Sequence, residues 1–126
     1  MTAIPFRIVV ADDSPPYRDA ICSILQTEPN LQVVAEAGDG VYAIEAVKKH
    51  RPDVVLMDIT MPVLNGIEAT RIIRSKFPDT RVLVLTMHTD KSFSDRAYQA
   101  GACRFLSKGC SKNELLRAIN DCLHTC

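Results

Sequence analysis

Three aspartates, a threonine and a lysine are spaced along this chain as a group that could handle phosphate. Asp12 and Asp13 follow the apolar run Ile8-Val9-Val10-Ala11, and Asp58 follows Val54-Val55-Leu56-Met57. Thr86 closes Val82-Leu83-Val84-Leu85, and Lys108 follows Phe105-Leu106-Ser107. Three carboxylates brought close together cannot all stay ionised without a counter-charge. A hard divalent cation such as Mg2+ suits them, because it takes a few carboxylates and keeps several waters. It would also neutralise charge developing on a transferred phosphoryl group. A lysine ammonium pairs with phosphoryl oxygens as a point charge, and the Thr86 hydroxyl would donate to another. The set is poorly built for peptide hydrolysis or hydride transfer. It suits a phosphoryl group arriving on one carboxylate, giving an aspartyl phosphate, a reactive mixed anhydride.

These residues can meet only if the elements before them lie side by side. The apolar runs show little alternation, as expected of strands buried on both faces of a parallel sheet. Strands are expected at about 6–11, 31–37, 54–58, 81–86 and 103–107, each followed by a segment with helical periodicity. Ser14 can cap a helix whose first turn accepts Pro15 and Pro16, with Tyr17, Ile21, Ile24 and Leu25 as its apolar stripe. The next helix points Ile44 and Val47 inward. Asn65 with Glu68, and Ser111 with Glu114, read as capping boxes. The helix after Asn65 buries Ile67, Ile72 or Ile73, and Phe77. The one from about 90 to 100 has few anchors, Phe93, Ala97 and Tyr98, and Gly101 ends it. The last, at about 112–124, buries Leu115, Leu116, Ile119 and Leu123. Five strands alternating with five helices predict an α/β fold, a doubly wound parallel sheet in one domain over residues 1–126. In strand order 2-1-3-4-5 the ends of strands one and three are neighbours at the topological switch point, where ligands bind.

Composition narrows the function further. Fifteen basic residues balance fifteen acidic ones, which leaves no electrostatic footprint of nucleic acid or an anionic membrane. No basic and apolar leader pattern opens the chain, and no apolar run reaches the roughly 20 residues of a spanning helix. A cytoplasmic, soluble protein is expected. Cys22, Cys103, Cys110, Cys122 and Cys126 are odd in number and form no C-x-x-C pair. They are read as neither a zinc site nor a disulfide framework, with Cys22 and Cys122 serving as small hydrophobes and Cys126 as an exposed thiol. His50 and His88 read as solvated, and His124 as favouring the negative end of a helix dipole.

Taken in order, Asp-Asp after strand one, Leu-Met-Asp-x-x-Met-Pro after strand three, Leu-Thr after strand four and Phe-Leu-x-Lys after strand five resemble the receiver domain of two-component response regulators. The resemblance spans essentially the whole chain. Val-Val-Ala-Asp-Asp, Leu-Thr-Met-His and Gly-Ala-x-x-Phe-Leu-x-Lys are most similar to the branch carrying a LuxR-type (NarL/FixJ) helix-turn-helix output. It implies a flavodoxin-like (βα)5 fold, with Asp58 as phosphoacceptor and Mg2+ held by Asp13, Asp58 and the backbone carbonyl of Thr60. Asp12 would act mainly through water. Thr86 and Lys108 would bind the phosphoryl group, and Phe105 would be the switch aromatic. The implied partners are a sensor histidine kinase or a histidine phosphotransfer domain, and a second copy of the chain on phosphorylation. Transcription would be controlled through an output domain absent from these residues. One departure is Gly109, where many such domains have a proline with a cis bond after the lysine.

Rival readings exist. A flavodoxin-like cofactor binder would need a hydroxyl- and glycine-rich phosphate loop after strand one, where Asp-Asp-Ser-Pro-Pro would repel phosphate. A Mg2+-dependent aspartyl-phosphate phosphohydrolase would more naturally carry its nucleophile at strand one. A stand-alone receiver would act by docking partners, and a phosphorylation-independent module would have no use for the acidic cluster.

Overall fold

The computed structural model describes residues 4–124. Ten elements alternate: β1 (Phe6–Ala11), α1 (Pro15–Gln26), β2 (Leu31–Ala37), α2 (Gly40–His50), β3 (Val54–Met57), α3 (Gly66–Lys76), β4 (Arg81–Thr86), α4 (Lys91–Gln99), β5 (Arg104–Ser107) and α5 (Lys112–His124). All neighbouring strands are parallel, in the order β2-β1-β3-β4-β5. The expected fold class and strand order are therefore found. The third strand stops at Met57, one residue short of Asp58, and the fifth starts at Arg104 rather than Cys103.

Alternation along the strands divides the core in two. Val9, Ala11, Val55, Met57, Val82 and Val84 face α2, α3 and α4, packing on Ala43, Val47, Ile67, Ile73 and Ala97. Ile8, Val10, Val54, Leu56, Leu83 and Leu85 face α1 and α5, packing on Ile21, Leu25, Leu115 and Ile119. Because both faces are covered, the central strands must be apolar on both sides. In α2 it is Ala43 that is buried with Val47, while Ile44 is only half-buried; in α3 the inward residue is Ile73. In α5, Ala118 and Cys122 are buried beside Leu115 and Ile119, leaving Leu116 and Leu123 half-buried.

The capping signals resolve unequally. Ser111 and Glu114 bond reciprocally, the Glu114 amide to Ser111 Oγ at 3.1 Å and the Ser111 amide to Glu114 Oε1 at 3.3 Å. At α3 only half of the box forms. The Glu68 amide donates to Asn65 Oδ1 at 3.0 Å, but the Glu68 carboxylate pairs with Arg71 instead. Helix α4 buries Ala97 with Phe93 half-buried, and its N-cap Asp90 makes no side-chain capping bond.

The cysteines are a correction. Cys103 and Cys122, 19 residues apart in sequence, are joined by a disulfide with their Cα atoms 6.0 Å apart. Helix α5 packs back across the sheet, so its last turn returns to the beginning of β5. Residue spacing carries no sign of that return. Cys22 is buried, as expected, and Cys126 lies outside the described residues.

Two glycines let the loops around the strand ends close. A Cβ at Gly66 would lie 1.8 Å from the Asp58 carbonyl oxygen, and one at Gly40 2.2 Å from that of Leu64. The Gly66 amide also donates to the Ile59 carbonyl at 2.8 Å. The β3–α3 loop is thereby held against the first turn of α3. Gly66→Ala is expected to destabilise the fold by about 3 kcal/mol or more, since the clash is with backbone that cannot rotate away. Urea unfolding measures this; an unchanged midpoint would show that the loop yields freely.

Candidate functional site

The polar residues at the strand ends are placed by hydrogen bonds that extend the sheet. The amide of Asp12 donates to the Ala37 carbonyl, that of Asp58 to Ala11, and that of Lys108 to Thr86, each at 2.9 Å. Asp12, Asp58, Thr86 and Lys108 are thus one residue-step of a single sheet edge, and Asp13 stands beside Asp12 but exposed. Asp12, Asp13 and Asp58 each present a carboxylate oxygen, all within 4.8 Å of one another. Thr60 lies exposed in the loop two residues past Asp58.

Lys108 reaches into this group. Its Nζ is 2.5 Å from Asp12 Oδ2 and 3.1 Å from Asp58 Oδ2. The other oxygen of Asp12 accepts the Ser14 amide at 2.9 Å, and Arg18 donates to the Asp12 carbonyl at 2.5 Å. Both Asp12 oxygens are therefore engaged, whereas Asp13 faces solvent. Thr86 is fully buried; its hydroxyl accepts the His88 amide at 3.2 Å and hydrogen-bonds Asp58. Tyr17 is a residue that sequence reasoning placed only in an apolar stripe. Its ring lies under the Lys108 ammonium, 4.3 Å from Nζ to centroid, an attractive cation–π arrangement. The sole hint in the sequence was its position one helical turn past Asp13.

Burial is the first determinant of the electrostatics. It raises the pKa of Asp58, and Asp12 pushes the same way, against the opposing pull of Lys108 and hydrogen bonds from Lys108 and Thr86. Burial disfavours the charged Lys108, yet the two carboxylates outweigh it and its pKa is raised as well. Both directions follow from one geometry. Two carboxylates share a single ammonium, which sits nearer Asp12 and leaves Asp58 partly uncompensated. Burial beside Cys110, Asp12 and Asp58 pushes the Tyr17 phenol up to about 12, so it stays neutral.

Of the remaining residues, Phe105 and Gly109 lie near this centre, whereas His50 and His124 lie at the other end of β1, beside Arg7 and Phe6. Phe105 is half-buried on the α2–α4 side of the sheet and pairs in register with Val84, while Thr86 pairs with Ser107. Phe105 is thus the diagonal same-face neighbour of Thr86 across the β4–β5 pair. After Lys108, all peptide bonds among the described residues being trans, the Gly109 amide donates to Ser107 Oγ at 3.0 Å, a bond proline could not make. His88 is exposed and tilted against Phe93 at 5.3 Å; His50 is half-buried; His124 is exposed with its ring edge-on to Phe6.

A doubly wound five-stranded sheet with acidic residues at β1 and β3, a hydroxyl at β4 and a lysine at β5 defines a class, and comparison with known proteins agrees. Residues 8–120 match the response regulator receiver domain family, and the chain belongs to it. It is 42% identical over 113 residues to the transcriptional regulatory protein DegU of Brevibacillus brevis, covering 90% of this chain and 48% of that protein. It is 38% identical over 116 residues to a probable transcriptional regulatory protein NarL of Mycobacterium tuberculosis, covering 92% and 54%. The chain therefore spans about half the length of these curated relatives. The receiver domain of the putative response regulator NarL from Mycobacterium tuberculosis superposes with a TM-score of 0.92 at 36% identity, covering 96% of this chain and 98% of that one. A protein-glutamate methylesterase/protein-glutamine glutaminase of Haloarcula marismortui is 50% identical over 105 residues, but the chain covers only 28% of it. No helix among the described residues is long and apolar enough to cross a membrane.

The raised pKa of Asp58 has a definite sign for stability. Its contribution is fullest below the unfolded value of about 3.9 and is lost as pH rises through the higher folded value, because the folded state then holds the extra proton. At neutral pH ionised Asp58 therefore weakens the metal-free protein. Lys108 works the other way: its contribution persists through neutral pH and is lost only above its own raised pKa. Asp58→Asn is expected to raise the neutral-pH melting temperature by a few degrees and to flatten its dependence on acidic pH. Calorimetry from pH 4 to 8 without divalent cations checks this; a lower melting temperature in Asp58→Asn would contradict it.

Proposed function

We propose that this receiver domain accepts a phosphoryl group on Asp58 from the phosphohistidine of a sensor histidine kinase or a histidine phosphotransfer domain. The observation that carries the reading is a buried, partly uncompensated carboxylate, 3.1 Å from a lysine ammonium and flanked by two further carboxylates. An Asp58 oxygen attacks phosphorus as the N–P bond to histidine breaks. Lys108 Nζ, already within reach, pairs with a phosphoryl oxygen, and the Thr86 hydroxyl turns from Asp58 to another. Asp13, Asp58 and the Thr60 carbonyl are the proposed ligands of Mg2+. The all-oxygen donor set and the exposure of Asp13 suit a hard cation, while Asp12, saturated by Lys108 and Ser14, supports from behind or through water. When bound, Mg2+ supplies neutralising charge for the transferred group.

In this reading the domain is not an enzyme acting on separate substrates; it promotes only its own phosphorylation and dephosphorylation. The hydrolase activity named for the Haloarcula relative is assigned to that whole protein, of which this chain matches a minor part. Likeness to DegU and NarL favours transcriptional output, through a second half such as those longer proteins have room for, in the cytoplasm. DNA contact belongs to that half, because the balanced charge of this one gives no footprint for it. A receiver working alone by docking is the second reading. A phosphohydrolase is disfavoured because the carboxylate left uncompensated is at β3, not β1.

With Mg2+ and acetyl phosphate the protein should gain the mass of one phosphoryl group, and Asp58→Asn none, since an amide cannot form the acyl phosphate. Asp13→Ala should weaken Mg2+ affinity roughly tenfold or more, and Asp12→Ala less. Mass spectrometry and Mg2+ titration read the two effects; equal labelling of wild type and Asp58→Asn would end the proposal.

The switch would run from Thr86 to Phe105. Drawing the Thr86 hydroxyl toward the phosphoryl group frees space on the face it shares with Phe105, and the ring can turn inward. Helix α4, with Ala97 its only fully covered side chain among the described residues, gives way at low energy. The α4–β5–α5 surface, or the faces of α1 and α5, then receives a partner or second copy. Thr86→Ala should still accept phosphate but lose at least half of the association that beryllofluoride, a phosphoryl mimic, induces. Analytical ultracentrifugation tests it; undiminished association in Thr86→Ala would reject this route.

A further inference from the structure

We propose that Cys103 and Cys122 are a reversible thiol–disulfide couple, oxidised by low-molecular-weight disulfides, that clamps the last turn of α5 to the start of β5. Cys103 immediately precedes β5, and Cys122 is two residues from the end of α5. Their Cα atoms are 6.0 Å apart, within the range a disulfide needs. The neighbours of both cysteines, Arg104 and Asp121, form an ion pair at 3.6 Å across the same junction. A second contact, between solvent-exposed side chains, thus crosses the junction without depending on the covalent bond. Both cysteines belong to the apolar cluster between the sheet and helices α1 and α5. As free thiols they would stay there as small hydrophobes, so opening the bond leaves the core filled. A bond the fold does not need, across a junction that is already formed, is suited to closing and opening.

Exposure sets the order of events. Cys122 is wholly buried, whereas Cys103 is only partly covered. The Cys103 thiolate attacks one sulfur of the small disulfide, forming a mixed disulfide and releasing one small thiolate. The Cys122 thiolate then attacks Cys103 Sγ and expels the second. One S–S bond has formed and one has broken. The two protein protons end on the two small thiols, and the small disulfide has taken the two electrons. The other described thiols, Cys22 and Cys110, are in no disulfide. Cys22 is buried and, with Glu36 and Asp19 nearby, pushed up to about 11, and burial also raises Cys110.

The clamp acts on the strand that carries Phe105 and leads into Lys108, and on the helix covering the α1–α5 face. Closed, it restrains local opening of α5; open, it frees the last turn. Its effect on signalling rests on the proposed phosphorylation, but the couple and the clamp do not. The test is made on unphosphorylated protein in glutathione buffers from fully reduced to mostly oxidised. Thiol alkylation with peptide mapping should count five free cysteines at one extreme and three at the other, with Cys103 and Cys122 the pair lost. Amide hydrogen exchange in α5 should slow at least fivefold on oxidation in the wild type and show no redox dependence in Cys122→Ala or Cys103→Ser. The proposal is overturned if the pair stays reduced, or stays bonded, in every buffer. Pairing through Cys110 or Cys126 overturns it too, as does bond formation with unchanged exchange in α5.

Discussion

One ammonium shared by two buried carboxylates ties this molecule together at its functional edge. The side chains of Lys108, Asp12 and Asp58 are all less than a tenth exposed, so water screens them little and their charges must answer one another. Removing the Lys108 ammonium would leave two buried carboxylates uncompensated, a change that typically destabilises by about 3–5 kcal/mol, whereas neutralising Asp58 relieves the shortage of positive charge. The arrangement is also electrically incomplete, because a third carboxylate, Asp13, stands at the rim. Burial, with Asp12 beside it, lifts the pKa of Asp58, and the same crowding of carboxylates makes a cation a suitable partner for the site. The ammonium, bonded only through its hydrogens, can move to a new anion without breaking the fold.

That economy depends on backbone geometry outside the charged group. The sheet bonds to Asp12, Asp58 and Lys108 are all 2.9 Å, so the three backbones are fixed before their side chains meet. Gly66 lets the loop after β3 fold tightly against α3, and Tyr17 floors the Lys108 ammonium from α1. The most covered side of the molecule is β1, β3 and their loops. The least covered side is α4 with β5, where few side chains are buried and where Phe105 and the Cys103–Cys122 junction sit. In the proposed switch, a chemical event at the strand ends would be read out at α4 and β5 because Thr86 and Phe105 share a face of the same strand pair.

Much of this was legible in the residues. Unbroken runs such as Val54–Met57 specify strands covered on both faces, and their regular alternation with helical periods leaves few topologies besides a doubly wound sheet. Acidic, hydroxyl and basic residues at successive strand ends then converge on one edge, because parallel strands all finish on the same side. Ser111 and Glu114 announced a cap that forms as read, since capping is local. Glu68 did not, because Arg71 one turn away competed for its carboxylate.

What only the folded chain decided are the contacts made between distant elements. Nothing in the spacing of Lys108 tells that its ammonium lies closer to Asp12 than to Asp58, or that Tyr17 lies beneath it, since side-chain reach depends on packing. Nor do residues 19 apart reveal that Cys103 and Cys122 meet: that follows from α5 running back over the sheet to end where β5 begins. The sequence by itself determined the elements, their order and the chemistry brought to one edge, because periodicity and strand-end position are local or topological properties. Tertiary structure decided which charge answers which and which sulfurs bond, because those are properties of distances in space.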